Sequence, residues 1–297
     1  MGSLRLLAYC LLLLLPVAPA AAGETPPVRV LASVEPVAMM LRQVLGDEAR
    51  VATLLEPGQN PHNVSFTPGQ ASSARQADLV VWLGGEAEPQ LAGLLRRRSG
   101  PSVAMLDQPG IRVRKDQDDD DHGHGHARLP LDPHLWLYPE NMLRLARALP
   151  EHHEALGMSR EQLEERVEAF AGELGTTVEQ VRETLAPVRE RDYLTHHDPW
   201  AYFAEAFELQ RAFRVSRDLD VDPGTRAFAR LARDVGERGL ECILAEPESR
   251  RALLRRLCGH CRVVELDPLG RGVSGEHYSA FLEYAGAGFR ACLDPDA

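Results

Sequence analysis

From residue 28 onward, short runs of β-branched and apolar residues alternate with stretches of helical periodicity. The runs at 28–34, 51–55, 79–83 and 102–106 read as strands, with helical patterns between them. Pro36 and Pro68 stand where a first helical turn begins, and Thr67 is placed as the N-cap of the second helix. Alternation of this kind predicts parallel βα units with helices on both faces of the sheet. A second series follows after a gap. Its candidate strands are 193–195, 212–216, 242–245 and 262–266, separated by helices near 199–207, 225–237 and 249–257.

Between the two series, 159–191 is rich in Glu, Arg, Leu and Gln and free of proline until Pro187. Leu163, Val167, Phe170, Leu174, Val178, Val181 and Leu185 recur near helical spacing, which predicts one long helix. It reads either as a surface helix or as a strut between lobes that limits hinge motion, with Gly172 and Gly175 softening it locally. The expected fold class is therefore α/β, with two doubly wound lobes of parallel sheet joined by one long helix. The expected division is a leader at 1–22, an N-terminal lobe at 23–157, a linking helix at 158–190 and a C-terminal lobe at 191–297.

The leader changes the picture of where the chain works. Arg5 precedes an apolar run at 6–15, then Pro16 and the small residues Ala18, Ala20, Ala21 and Ala22, the order of a secretory signal peptide cleaved after Ala20 or Ala22. No later segment approaches the roughly 20 apolar residues of a membrane span, so a soluble exported chain is expected. A formal charge of −11 opposes phosphate binding and argues against a nucleic-acid partner. Of five cysteines, Cys10 falls in the leader; Cys242, Cys258, Cys261 and Cys292 remain in an oxidising compartment where disulfides are the default. Four thiols allow three pairings, and Cys258-Gly259-His260-Cys261 also reads as a redox pair or half a metal site.

Four potential metal ligands stand in loops. His62 follows the second strand in Glu56-Pro57-Gly58-Gln59-Asn60-Pro61-His62, and His134 lies in Asp132-Pro133-His134 without a clear preceding strand. His197 ends a short strand in Thr195-His196-His197-Asp198, and Asp267 ends another. Ligands collect at the carboxyl ends of strands in parallel α/β sheets. Two imidazoles from one lobe, with an imidazole and a carboxylate from the other, form a four-donor cage suited to Zn²⁺. Manganese prefers more carboxylate oxygen. His196 competes with His197, since adjacent strand residues point oppositely and one of them faces the cleft. Loop 116–128 holds Asp118 to Asp121 followed by His122, His124 and His126; it reads as a solvated acidic insertion or as an auxiliary tract for metal capture. A zinc hydrolase also uses three histidines and water, yet no HExxH helix occurs, and Glu246 is the carboxylate to nominate as a base.

These residues resemble the periplasmic zinc-binding proteins of the ZnuA type, which serve ABC importers. The resemblance rests on 58–66 around His62, on His134-Leu135-Trp136-Leu137-Tyr138-Pro139-Glu140, on His197-Asp198 with Tyr202-Phe203, on Ala245-Glu246-Pro247 and on Leu266-Asp267-Pro268-Leu269-Gly270. It implies two lobes joined by a long helix, zinc in the cleft on His62, His134 and His197, and a histidine-rich loop at 116–128. Pro61 stands where some members supply a glutamate, so the fourth place falls to Asp267 or water. A Cys242–Cys292 disulfide is implied, with Cys258–Cys261 as an addition outside the common pattern. The implied role is capture of Zn²⁺ in the periplasm by a monomer that docks on a membrane permease with its ATPase and catalyses nothing. A manganese- or iron-binding relative of the same class is the alternative.

Overall fold

The computed structural model describes residues 27–56, 59, 64–115, 131–216, 223–273, 277–294 and 296. The leader, His62 and the tract with His122, His124 and His126 lie outside the described residues.

Strands β1 (Val28–Ala32), β2 (Ala49–Thr53), β3 (Leu79–Trp82) and β4 (Ser102–Ala104) form a parallel sheet in the order β2-β1-β3-β4. Strands β5 (Leu194–Thr195), β6 (Phe213–Arg214), β7 (Cys242–Ala245) and β8 (Arg262–Glu265) form a second one in the order β6-β5-β7-β8. Several strands are shorter than the apolar runs that announce them. The run at 28–34 stops at Ala32 because Ser33 and Val34 lead directly into helix α1 (Glu35–Leu45), with Pro36 in its first turn.

Both faces of each sheet are covered, and the period of two decides which residue goes where. Val30, Ala32, Leu79 and Val81 pack with α1 and α4 (Pro139–Ala146). Leu31, Val80 and Trp82 pack instead with Ala74 of α2 (Pro68–Gln76) and Leu91 of α3 (Pro89–Leu95). Thr67 caps α2 in a reciprocal capping box with Gln70. In the second sheet, Ile243 and Ala245 meet α7 (Thr225–Arg238) and α8 (Arg251–Leu257), while Cys242 and Leu244 turn to the opposite face. That opposite face belongs to the same core as the first sheet, so apolar packing runs unbroken across both lobes.

The long helix is what makes this possible. Helix α5 (Arg160–Leu185) starts at a Ser159 capping box and buries Leu163, Val167, Phe170, Leu174, Val181 and Leu185 along one stripe. Gly172 and Gly175 sit on its open side and the helix continues through them. Helix α9 (Tyr278–Leu293) packs on α5 so closely that a Cβ at Gly286 would lie 3.0 Å from a methyl of Val181. Helix α6 (Ala201–Ala206) adds Tyr202 and Phe203 to the same core. Among the described residues, no helix is long and apolar enough to cross a membrane.

Two disulfides fasten the C-terminal lobe. Cys242–Cys292 ties β7 to α9 across 50 residues of chain, and Cys258–Cys261 closes a loop across 3. Loop length sets how much unfolded-chain entropy each bond removes, roughly 4 kcal/mol for the long loop and roughly 2 kcal/mol for the short one. Urea unfolding should therefore show the Cys242→Ala/Cys292→Ala pair losing more stability than Cys258→Ala/Cys261→Ala. The reverse order would contradict this assignment.

Candidate metal centre

Two histidines, one from each half of the chain, meet in a gap beyond the carboxyl ends of β5 and β7 in the second sheet. His197 follows β5, with its backbone carbonyl accepting a 2.7 Å hydrogen bond from the Thr195 hydroxyl. Neighbouring β7 ends beside Glu246, whose Oε1 lies 2.6 Å from His197 Nδ1. Strands β5 and β7 are adjacent at the place where the strand order reverses, the usual position for a ligand in a doubly wound sheet. His134 arrives from the other lobe without a strand before it, at the start of a short 3₁₀ turn (Leu135–Leu137). Asp132 holds it from behind, its Oδ1 lying 2.7 Å from His134 Nδ1 and accepting from the His134 amide at 3.1 Å.

Each ring thus has a carboxylate at Nδ1 and turns Nε2 toward the gap. The two Nε2 atoms stand 3.4 Å apart, and both side chains are almost fully buried. Two nitrogens bound to one tetrahedral zinc at about 2.0–2.1 Å would be separated by roughly 3.3 Å, so the spacing fits a shared metal ion. Carboxylate, imidazole and metal in a row is the common second layer of such sites, because the carboxylate fixes ring orientation and raises the basicity of the donor nitrogen.

The electrostatics agree with a closed pocket. Burial pushes Glu246 up to about 8, with Glu248 and Asp267 acting in the same direction and His134 and Arg271 opposing them. Burial also works to raise Asp132, but the hydrogen bonds and charge of His134, together with Arg114, hold it below its ordinary value.

The remaining expected donors fall in several places. His196 is buried on the other side of the strand end, where its Nδ1 lies 3.4 Å from the amide of Arg250, and His197 takes the cleft. Asp267 follows β8 and is buried, but its oxygens accept from Arg271 Nε at 2.8 Å and from the amides of Leu269 and Arg271 at 3.0 and 2.9 Å. Among the described residues, Asp267 does not join the two imidazoles in a group whose donor atoms all lie within 4.8 Å of one another. Cys258, His260 and Cys261 do form such a group, yet both sulfurs are committed to their disulfide, leaving His260 as the donor.

The His134 loop is anchored across the gap. Trp136 Nε1 donates to the Pro268 carbonyl at 2.8 Å, and Tyr278 Oη donates to the Trp136 carbonyl at 2.6 Å. Tyr202 of α6 donates to the Asp132 carbonyl at 3.1 Å and accepts from the Arg114 amide at 2.8 Å. Glu205 pairs with Arg112 at 2.6 Å and with Arg114. Asp132 and Glu246, which contact the two rings at Nδ1, and Arg271, which contacts Asp267, are neighbours of the expected donors that single-residue reading of the sequence passes over. Asp132 leaves a signal two residues before His134; the contacts of the other two are created by folding. Replacing Asp132 by Asn, or Glu246 by Gln, should weaken metal binding about 10- to 100-fold in a chelator competition. Unchanged affinity in both variants would remove these carboxylates from the site.

A family model and the curated relatives point to one family, and solved structures share the fold. The model of the family described as ZnuA, zinc-uptake complex component A, periplasmic, matches residues 30–292. The high-affinity zinc uptake system protein ZnuA of Haemophilus ducreyi is 28% identical over 287 residues, covering 89% of this chain and 93% of that protein. Its counterpart in Paracoccus denitrificans is 27% identical over 314 residues, covering 93% and 94%. A crystal structure of ZnuA superposes with a TM-score of 0.77 at 23% identity, covering 91% of this chain and 100% of the other. With the match running from β1 to α9, this chain belongs to the ZnuA family.

Proposed function

We propose that this protein is the periplasmic zinc-binding component of an ABC-type importer, capturing Zn²⁺ between its lobes and delivering it to a membrane permease and its ATPase. It does so as a monomer and catalyses no reaction. The observation that carries the reading is the pair of Nε2 atoms 3.4 Å apart, one from each lobe, each ring backed by a buried carboxylate. His134 and His197 supply two donors and His62 a third, with the fourth place filled by Asp267 or water. Imidazole nitrogen in the majority favours Zn²⁺ over the harder Mn²⁺. The lobes correspond to 23–157 and 191–297, with 158–190 as the link.

Glu246 also bears on the hydrolytic alternative. Its Oε1 faces His197 Nδ1 at 2.6 Å, so the carboxylate that a hydrolase would use as a base instead orients a ligand. The segment with His122, His124 and His126 gathers cations by negative charge and passes them to the deeper site. Relatives named as high-affinity zinc uptake system proteins support the transport role.

Metal analysis and competition titration should find one tightly held zinc, weakened by His62→Ala, His134→Ala and His197→Ala more than by loss of an outer carboxylate. Retention of wild-type affinity in all three would overturn the site. Protons compete for imidazole nitrogen, so zinc affinity should fall between about pH 7.5 and about pH 5, across the ordinary histidine range. Isothermal titration at both ends checks this, and a flat profile contradicts imidazole ligation.

A further inference from the structure

Three carboxylates, Glu246, Glu248 and Asp267, lie near enough to influence one another, and one guanidinium pairs with two of them, Asp267 and Glu248. Arg271 donates from Nε to Asp267 Oδ2 at 2.8 Å and from Nη2 to Asp267 Oδ1 at 3.1 Å. The same Nη2 reaches Glu248 Oε1 at 2.7 Å. The amides of Leu269 and Arg271 donate to the two Asp267 oxygens as well, so this carboxylate accepts four hydrogen bonds, two of them from a charged fork. At 5% exposure it makes them away from bulk water.

A carboxylate held in this way has little to offer a metal ion. To bind zinc, Asp267 would first have to release a planar cation matched to it at both oxygens, leaving that cation half-buried beside an arriving dication. The turn that carries Arg271 is itself fixed: Gly270 has φ +66°, and a Cβ there would meet the Phe281 ring at 2.7 Å. Arg271 therefore follows Asp267 at a set distance and in a set direction.

We propose that Arg271 is a specificity-determining residue of this site: by holding Asp267 it withholds carboxylate oxygen from the metal and leaves a donor set dominated by imidazole, which favours Zn²⁺ over Mn²⁺. The proposal rests on the reading of His134 and His197 as metal ligands. In this arrangement water completes the coordination sphere in the wild-type protein. Removing the guanidinium would leave Asp267 and Glu248 without the cation that pairs with both.

The test compares Zn²⁺ and Mn²⁺ affinities of the mature protein with those of Arg271→Gln. The variant should lower the zinc-to-manganese affinity ratio on the order of tenfold, the size of effect that outer partners have on metal sites. Its cobalt-substituted form should show a changed visible spectrum as a carboxylate oxygen enters. Arg271→Lys, which keeps the charge but loses the two-pronged fork, should fall between wild type and Arg271→Gln, and adding Asp267→Asn to Arg271→Gln should abolish the gain in manganese binding. In the wild-type protein, infrared difference spectra should show no zinc-induced shift of a carboxylate band assignable to Asp267 by comparison with Asp267→Asn. An unchanged ratio in Arg271→Gln, or an Asp267 band that moves when zinc binds the wild type, would overturn the proposal; the infrared experiment does so even if Arg271→Gln fails to fold. Full zinc affinity in His134→Ala and His197→Ala would instead sink the ligand reading on which it rests.

Discussion

Two imidazole nitrogens that face each other at 3.4 Å inside a buried gap, each ring pinned from behind by a carboxylate, are the constraint around which this molecule is arranged. With both Nδ1 atoms turned to carboxylate oxygens, the two Nε2 atoms point toward one place, where a metal ion binds both and recruits further donors, which is what a carrier of divalent cations needs.

Holding that spacing requires the two lobes to stay in register, and the fold supplies this by continuity of packing. The apolar core passes from the first sheet through α1, α5 and α9 to the inner face of the second. Trp136, Tyr202 and Tyr278 then stitch the His134 turn to the opposite lobe with hydrogen bonds to backbone groups. A long helix with one buried stripe resists wide opening, in contrast to the flexible linkers that let other binding proteins close around a ligand. The proposed metal site is therefore preorganised, and binding there need not be linked to a large domain movement.

Much of this was legible in the order of residues. The parallel strands announced themselves as β-rich runs, the start of α2 as Thr67 followed by Pro68 and Gln70, and α5 as a stripe repeating every three or four residues. Strand ends were less legible, because Val34 at the end of the run 28–34 stays buried after the chain has left the sheet at Ala32. His134 illustrates the same limit: it reaches the cleft from a 3₁₀ turn fixed by Trp136 and Asp132, with no strand to point to it. Glu246 stands 49 residues from His197 and meets it only because β5 and β7 are neighbours. Arg271 sits four residues beyond Asp267, close enough to see, but its hold on that carboxylate depends on a left-handed turn at Gly270 that spacing alone does not reveal.

If nitrogen donors from both lobes share one zinc ion, zinc-edge X-ray absorption on the metal-loaded protein should show imidazole scattering at about 2.0–2.1 Å, reduced by about one ring in His134→Ala and likewise in His197→Ala. A shell of oxygen or sulfur alone, or one that neither substitution alters, would contradict it.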